Sequence, residues 1–415
     1  MSQVRPPRPL GLKPSFGFGD RLGVATIGHV DAVRSQGEAV LPVFAQQSIR
    51  EMSRTGRKPE DVIADTIQGL TAANYTGPWA ADADHLKTNE DVNATVSAGF
   101  VLFTIDFSEH VDLQADSYAP QVLEARFRDL HDDVAWAEDY FGRQIRLSDE
   151  VTIDLDAATV KRVAVKYGKA IAHAIKLASH TDRMMLKRNT PYEIEICLDE
   201  TPQPTSLAEH FLIVEQCLRA QMKLAIVGPR WSGDFEPAID FAGDRETLLR
   251  AWREHALVAR ALGPYKLGLH NGSDKFSLYE ELARITGGLF HVKTAGTSYL
   301  EALRVAARHE RRLFRRIVDM ARSRFDRDRA TYHVSARVEQ LPAPAAIADD
   351  VRLEQLYLDE PAGRQVLHVT FGSVLTDSVL GPTLRDVLVA NPATYREVVG
   401  KHLSRHLAAL VRGLQ

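Results

Sequence analysis

The sequence LHNGSDK at residues 269–275 indicates the fold class when it is set beside HVKTAGT at residues 291–297. Each segment begins where an apolar run ends, and each supplies a histidine, a lysine, a glycine and a small hydroxyl residue. A third segment, ADADHLK at residues 81–87, has the same character. In a parallel barrel the residues that follow the strands meet at one rim, where the active site lies. The three segments therefore predict a single site at the mouth of a barrel.

The pattern along the rest of the chain supports this prediction. Short apolar runs typical of strands alternate with amphipathic stretches typical of helices. We predict strands at residues 22–26, 40–44, 79–84, 100–106, 192–198, 223–227, 265–270 and 288–293, and helices at residues 58–73, 207–221, 245–262 and 278–286. This alternation favours the α/β class and, within it, a (β/α)8 barrel of the TIM type.

An open, doubly wound sheet is the alternative architecture. It requires a glycine-rich phosphate-binding loop directly after a strand. The glycine motif at residues 17–23 precedes the first predicted strand, and its spacing differs from a dinucleotide fingerprint. The sequence therefore favours the closed barrel, and we expect no nicotinamide cofactor.

The chain divides into two predicted parts. Residues 1–298 form the catalytic barrel, with a helical insertion after the fourth strand near residues 123–187 that also contains a hairpin at residues 144–155. Residues 299–415 form a C-terminal, mainly helical extension that packs on the barrel. A strand-like run at residues 366–371 gives this appendage a predicted α/β character.

Composition limits the classes of function. The formal net charge of −4 over 415 residues gives no reason to expect nucleic-acid binding. The N-terminus lacks the apolar core of a secretory signal, and the apolar runs are too short to span a bilayer. Cys197 and Cys217 form no CxxC pair, as expected for free thiols in a reducing compartment. We expect a soluble, cytoplasmic protein that binds a small molecule and no membrane; the pattern is compatible with a homo-oligomer.

Three histidines are the candidate metal ligands. His85, His270 and His291 each follow or end a predicted strand. A single histidine is more often a structural residue, but three at the ends of three strands favour a site. Imidazole together with carboxylates suits a divalent ion such as Zn²⁺, Mn²⁺, Ni²⁺ or Co²⁺. We expect one or two coordination positions to remain open for substrate.

Two acids are candidates for proton transfer. Asp84 precedes a predicted ligand, and Glu200 follows an apolar strand, so either one could act as acid, base or additional ligand. A helix cap or a salt bridge at the barrel mouth is the structural alternative for both. The candidates to bind an anionic group are the cations Arg21, Arg230, Lys275 and Lys293 and the hydroxyls of Ser273 and Thr294.

Several motifs resemble the tagaturonate epimerase family over nearly the whole chain. They lie at residues 15–23, 44–48, 81–85, 103–106, 199–201, 270–276, 287–302, 332–333 and 368–375. The resemblance implies an isomerase of hexuronate catabolism that converts D-tagaturonate to D-fructuronate by inverting C4 with a divalent metal ion. It also implies that Gln46 and Asp274, which lie in these motifs, help to bind the sugar acid.

A more local likeness is to the class II metal-dependent aldolases, which carry an Asp-His pair on one strand. The pair Asp84-His85 and the turn at residues 270–273 look similar. This matters because the C4 proton of tagaturonate is not α to the C2 carbonyl, so simple proton abstraction is unfavourable. Transient oxidation by a nicotinamide is one remaining route. Retro-aldol cleavage of C3–C4 and re-formation on the other face is the route that we predict, with a Lewis-acidic metal polarising the C2 carbonyl.

Three other readings remain open at this point. A metal-dependent aldolase would release three-carbon products, and a ketose–aldose isomerase would exchange solvent deuterium into C1 or C2. A sugar-acid-binding regulator that retains the barrel would require a degraded metal site. The intact Asp, His and Lys residues at the predicted strand ends favour an enzyme.

Overall fold

A computed structural model describes residues 4–37 and 39–415, apart from the side chains of His131 and Thr331. Its strands are β1 Ser15–Gly19, β2 Leu41–Ser48, β3 Ala80–Leu86, β4 Leu102–Asp106, β5 Arg143–Arg146, β6 Thr152–Leu155, β7 Glu193–Cys197, β8 Leu224–Gly228, β9 Lys266–Leu269 and β10 Phe290–Thr294. Eight of them close a parallel barrel in the order β1-β10-β9-β8-β7-β4-β3-β2, and β5 and β6 form a separate hairpin. The predicted (β/α)8 barrel is confirmed.

Helices surround the barrel and form the C-terminal part of the chain. They are α1 Thr26–Ser35, α2 Ile49–Thr55, α3 Pro59–Ala72, α4 Asn89–Ala98, α5 Pro120–Asp129, α6 His131–Val134, α7 Ala157–Arg188, α8 Leu207–Arg219, α9 Arg245–Leu262, α10 Tyr279–Thr286, α11 Thr297–His309, α12 Arg311–Asp328, α13 Asp350–Leu358, α14 Pro361–Val369, α15 Phe371–Leu375, α16 Leu380–Ala390 and α17 Pro392–Leu414. Local sequence specifies several starts, because capping boxes begin α4 and α8. Among the described helices, none combines the length and the apolar character that a membrane span needs.

The first predicted strand, at residues 22–26, is wrong. The strand lies earlier, at β1, and residues 20–25 form the turn that leads into α1. Alternating glycines conceal β1, because glycine has low strand propensity. They are needed for close approach: a Cβ on Gly17 would lie 2.3 Å from Gln46 Oε1, and one on Gly19 would lie 2.5 Å from the Thr294 carbonyl oxygen.

The strand predicted at residues 366–371 is also wrong. This run belongs to helix α14 and the start of α15, and Val366 and Leu367 are fully buried. A short apolar run can be a buried helix as easily as a buried strand, and here Pro361 at the first turn favours the helix. In the described part of the chain every element after β10 is helical, so the appendage is not α/β.

The insertion and the extension take defined places around the barrel. Between β4 and β7 lie α5, α6, the β5–β6 hairpin and the long helix α7, which packs on α4 and α8. The predicted division at residues 298 and 299 falls inside α11, which packs on α12 and α17. Helix α17 also packs on α1 and α10, so the C-terminal helices cover one side of the barrel.

Candidate active site

A cavity of about 240 Å³ lies at the carboxyl ends of the barrel strands. Its lining is predominantly polar and comes from the C-terminal part of the chain and from the carboxyl ends of all these strands except β4, or the segments after them: Arg21, Gln46, Ser48, Arg50, Glu51, Asp84, His85, Asp199, Glu200, Thr201, Arg230, Phe235, Pro237, His270, Asn271, Ser273, Lys293, Thr294, Ala295, Tyr332, His333 and His368. This is the position that active sites occupy in TIM-type barrels.

Five residues form what we call the mouth cluster: His85, Asp106, Cys197, Asp199 and His270. The Cys197 sulfur lies 3.7 Å from His85 Nδ1 and 3.9 Å from His270 Nδ1. Asp106 Oδ2 is 3.3 Å from His85 Nδ1, and Asp199 Oδ1 is 3.1 Å from His270 Nδ1. Both histidines thus present the same ring nitrogen to a shared group of sulfur and carboxylate donors.

The other nitrogen of His270 is held by a buried acid. His270 Nε2 donates to Glu195 Oε1 at 2.6 Å, which leaves Nδ1 directed at the mouth cluster. Burial lowers the pKa of His270, but Asp199 and Glu195 outweigh that effect and hold the pKa well above its usual value. A carboxylate behind an imidazole fixes its tautomer and strengthens it as a ligand, which is the common outer-shell arrangement of metal sites.

His85 has a comparable environment. Its backbone is in the left-handed region, with φ of 56°. Burial lowers its pKa, yet Asp84 and the hydrogen bond with Asp106 raise it to about 9. Glu200, at 36% side-chain exposure, lies 3.8 Å from His85 Nδ1 and 3.5 Å from Arg50. The clustered acids attract either protons or a cation to this point.

The donor set of the mouth cluster fits a divalent transition metal. Two imidazoles, a thiol and two carboxylates converge, and the ligand atoms of His85, Cys197 and His270 all lie within 4.8 Å of one another. Such a mixture of nitrogen, sulfur and oxygen donors suits Zn²⁺ and related ions. His85 and His270 are therefore brought together as the sequence predicted.

His291, the third predicted ligand, lies elsewhere. It is the second residue of β10, which continues to Thr294, and at ~3.3 Å per residue this places it well below the barrel mouth. Its Nδ1 bonds Ser15 Oγ at 3.0 Å, and burial lowers its pKa to about 3. Its ligand atoms group with Asp82 and Glu195 instead. Lys293 already provides the cation for those two acids, 2.9 and 2.8 Å away.

Asp84, a predicted acid–base residue, lines the cavity beside His85. Its Oδ2 is 3.6 Å from His85 Nε2, and its Oδ1 accepts a hydrogen bond of 2.7 Å from Lys293 Nζ. Burial raises the pKa of Asp84, but His85 and Lys293 outweigh it and lower that pKa below its usual value. Asp84 is therefore an ionised carboxylate at the cavity wall.

Lys293 lines the cavity but is engaged by the barrel interior. Its ammonium lies within 2.6–2.9 Å of oxygens of Asp82, Asp84, Thr104 and Glu195. Burial lowers the pKa of Lys293, and the three carboxylates outweigh it and raise that pKa well above its usual value. Three acids and one lysine replace the apolar side chains that fill most barrel interiors. Lys293 therefore holds Asp84 in place rather than offering a free charge.

Two other predicted anion-binding residues are also occupied. Arg21 is 1% exposed, pairs with Glu51 through Nε at 2.9 Å and through Nη2, and stacks on Phe371. Lys275 does not line the cavity, because its ammonium donates to the carbonyls of residues 236, 239 and 273 at 2.6–3.0 Å. Glu51 of α2 neutralises Arg21, and two of the three carbonyls around the Lys275 ammonium come from the segment that follows β8.

The remaining predicted substrate-binding residues divide into two groups. Gln46, Ser273 and Thr294 line the cavity; the Thr294 N–H donates to Gln46 Oε1 at 3.3 Å, and its hydroxyl donates to the Gly17 carbonyl at 2.6 Å. Asp274 does not line it and belongs to a second group beneath the C-terminal helices.

We call that second group the helix cluster: Asp274, Glu301, Arg364, His402 and His406. Asp274 accepts from Arg364 at 2.7 Å and from His402 Nε2 at 2.6 Å, while His402 Nδ1 lies 3.3 Å from Glu301. The Asp274 N–H donates to His406 Nε2 at 3.0 Å. Its charges and lone pairs are satisfied within the protein, and it ties α17 to the loop after β9.

Sequence reasoning did not select several residues of this site. Asp106 and Asp199 end predicted strands but were not chosen, because many acids in that position are caps or surface residues. Cys197 was interpreted as an inert buried thiol. Glu195 lies inside a run taken as apolar, and the alternation Glu-Ile-Glu-Ile in β7 is the signal that could have revealed it.

Comparisons with known proteins show the family and the fold. The model of the tagaturonate epimerase family matches residues 2–410. A tagaturonate/fructuronate epimerase from Thermotoga maritima is 39% identical over 401 residues, which are 96% of this chain and 81% of that protein. The native crystal structure of a fructuronate-tagaturonate epimerase from Cohnella laeviribosi matches with a TM-score of 0.90 and 33% identity. Its complex with one glycerol matches with a TM-score of 0.91 and 32% identity. Each match covers 98% of this chain and 83% of the solved one.

Proposed function

The chain belongs to the tagaturonate epimerase family and is therefore an isomerase, and we propose that it interconverts D-tagaturonate and D-fructuronate with a divalent metal ion. The observation that carries the proposal is the mouth cluster, whose two imidazoles and surrounding acids face a cavity at the active end of the barrel. The sugar acid is the proposed partner. A cytoplasmic location, inferred from the sequence, is part of the same proposal.

His85 and His270 would hold the ion, with Asp199, Asp106 and Cys197 as the nearest further donors. When bound, such an ion supplies a Lewis acid that polarises the C2 carbonyl of the substrate. Glu195 orients His270 from behind. These proposed ligands lie in or just after β3, β4, β7 and β9.

The proposed route is retro-aldol cleavage followed by aldol re-formation. Asp84 takes the proton of the C4 hydroxyl, the C4–O bond becomes a carbonyl, and the C3–C4 bond breaks. Its electron pair passes to C3 and is shared with the C2 oxygen. The aldehyde turns about its C4–C5 bond, C3 attacks its other face, and the new C4 oxygen takes back a proton. No redox partner is needed, because electrons and atoms balance within the substrate.

Two carboxylates divide the proton transfers in this scheme. Asp84 is the base, because Lys293 and His85 keep it ionised and directed at the cavity. Glu200 also lines the cavity and is the candidate that returns the proton to the inverted oxygen. Two groups are wanted because the oxygen changes face, and general acid–base catalysis of this kind contributes about 10²- to 10⁴-fold to the rate.

The test is an assay of metal-stripped protein with D-tagaturonate, to which Zn²⁺, Mn²⁺, Ni²⁺ or Co²⁺ is added back singly. Proton NMR follows fructuronate. We expect at least one ion to restore the C4 epimer as the sole product. Accumulation of three-carbon products would assign the protein to the aldolases, and deuterium at C1 or C2 after reaction in D₂O would indicate a ketose–aldose isomerase. Equal turnover with and without metal would refute the metal-dependent route.

A further inference from the structure

The cavity contains one cationic side chain whose charge has no partner within the described residues, and this is Arg230. The Arg230 side chain lines the cavity and is half-buried. No hydrogen bond, ion pair or ring contact involves its guanidinium in the described part of the chain. The other basic side chains that face the cavity differ in this respect. Arg21 is bound to Glu51, Lys293 is enclosed by three acids, and Arg50 lies 3.5 Å from Glu200.

The backbone of Arg230 is held firmly, although its side chain is free. Its N–H donates to the Thr205 hydroxyl at 2.9 Å, and its carbonyl accepts from the Thr205 N–H at 2.9 Å. The next residue, Trp231, is buried and donates through its indole N–H to the Gly268 carbonyl at 3.1 Å. Because the backbone of Arg230 is already ordered, only its side chain loses conformational entropy when a ligand binds.

Arg230 follows a strand that lies between those of two proposed metal ligands. It follows β8 by two residues, as Asp199 follows β7, and the strand ends Cys197 and Gly228 are partners in the register. On the other side of β8, the absence of a Cβ at Gly228 lets His270 pack there, since a Cβ would lie 2.8 Å from His270 Nε2. Arg230 therefore stands between the strands that supply Asp199 and His270.

We propose that Arg230 binds the carboxylate of the sugar-acid substrate, and this inference rests on the proposed function. A half-buried cation without a counterion is unfavourable, and the cavity acids Asp84, Asp199 and Glu200 would repel an anionic substrate. A guanidinium binds a carboxylate through two parallel hydrogen bonds. The substrate carboxylate would therefore be the counterion of Arg230. Arg230 then selects uronates over neutral ketoses at the proposed metal site.

The experiment compares kcat and KM for D-tagaturonate in the wild type, Arg230→Gln and Arg230→Lys, with melting temperatures as a folding control. We expect Arg230→Gln to lower kcat/KM by about 10- to 100-fold, mainly through KM, because one charge-assisted contact is lost. Arg230→Lys retains the charge without the planar fork, so its KM falls between the two. Arg253→Gln, an exposed change in α9, is the matched control and keeps wild-type values.

Several results would overturn the assignment. An unchanged KM in Arg230→Gln would do so, as would a KM increase in Arg50→Gln that Arg230→Gln lacks. A loss shared equally by the Gln and Lys variants, with a lower melting temperature, would make Arg230 a structural residue. If the wild type does not convert D-tagaturonate under any metal, the proposed function itself fails. That result is distinct from an active wild type with an unaffected Arg230→Gln variant.

Discussion

The mouth cluster and the helix cluster are built from the same residue types, two histidines with aspartate or glutamate, and both bring potential ligand atoms within 4.8 Å. They differ in how their charges are satisfied. In the helix cluster Arg364 neutralises Asp274, and the Asp274 N–H occupies the lone pair of His406 Nε2. In the mouth cluster no arginine or lysine pairs with Asp199 in the described residues, and the histidines face a cavity.

This difference separates a site that is complete from one that needs a cation. Buried charges are stable when they are paired and hydrogen-bonded. The helix cluster meets that condition with its own residues and fastens α17 to the loop after β9. In the mouth cluster Lys87 lies 3.6 Å from Asp106, but Asp199 is balanced only by the Cys197 thiol and by protons or a metal ion at the histidines. Residue types and proximity alone would have described both as metal sites.

The largest effect that tests this comparison is the loss of metal. His270→Ala should lose the bound divalent ion and lower kcat/KM for D-tagaturonate by about 10³-fold or more, because the Lewis acid is removed. His402→Ala, the matched change in the helix cluster, should keep the metal-to-protein ratio of the wild type. Metal analysis by mass spectrometry decides the point. Metal loss in His402→Ala alone would invert the assignment of the two clusters.

A second prediction contrasts two aspartates. Asp84→Asn should lower kcat by about 10³-fold while the metal content stays near that of the wild type, because a general base is lost and a ligand is not. Metal loss in this variant would make Asp84 a ligand, and normal turnover would remove it from the mechanism.

Asp274→Asn is the matched control for that change. It leaves Arg364 without its full counter-charge in a buried position. We expect the free energy of unfolding to fall by about 3 kcal/mol in urea titrations, with no loss of metal. Asp84→Asn and Asp274→Asn therefore separate an effect on chemistry from an effect on stability.

The smallest predicted effect is the pH dependence of the metal-free protein. The pKa of His85 is raised from 6.5 to about 9, so its contribution to stability is complete below pH 6.5 and is lost as the pH rises through 9. The pKa of His406 is lowered to about 3 by burial, so the protein loses stability as the pH falls from 6.5 towards 3. These two histidines therefore act in opposite directions.

Unfolding free energies measured across these ranges test the signs. We expect the metal-free protein to lose about 1–3 kcal/mol between pH 6.5 and 9.5, a loss that bound metal suppresses by replacing the protons. His85→Asn should reduce the alkaline decline without abolishing it, because the pKa of His270 is also raised, and it should leave the contribution of His406 at acidic pH unchanged. A metal-free wild type whose stability is constant from pH 6.5 to 9.5 would contradict the charge balance assigned to the mouth cluster.

The amino-acid pattern predicted most of the barrel because strand and helix periodicities are local. Each predicted strand other than the first and the one at residues 366–371 overlaps a barrel strand, and residues 245–262 match α9. The strand β1 was missed because its glycines weaken the local strand signal. Gly17 and Gly19 are required by close contacts with β2 and β10, which are distant in the sequence. The run at residues 366–371 was predicted as a strand because a short, continuous apolar sequence is typical of both a buried strand and a buried helix.

The site was predicted in part for the same reason. His85, His270 and Asp84 line one cavity, as the sequence predicted, because they lie near the carboxyl ends of parallel strands, which meet at one rim. His291 was predicted to lie at the barrel mouth, but it lies further inside the barrel. Its position depends on where β10 ends and on the register of β10 with β9, which the local sequence does not show. Lys275 and Arg21 were predicted to bind an anionic group, although backbone carbonyls bind the Lys275 ammonium and Glu51 of α2 pairs with Arg21.

The sequence by itself determined the barrel class, the family resemblance and the segments that reach the mouth, because each depends on residues close together in the chain. The tertiary structure alone decided which charges are neutralised and which remain for a ligand. Hydrogen bonds and ion pairs act over a few ångströms, and their partners here come from far apart in the chain. Two features are consequences of folding that no linear pattern contains: Lys293 lies beside Asp84, and Arg230 has no side-chain partner among the described residues.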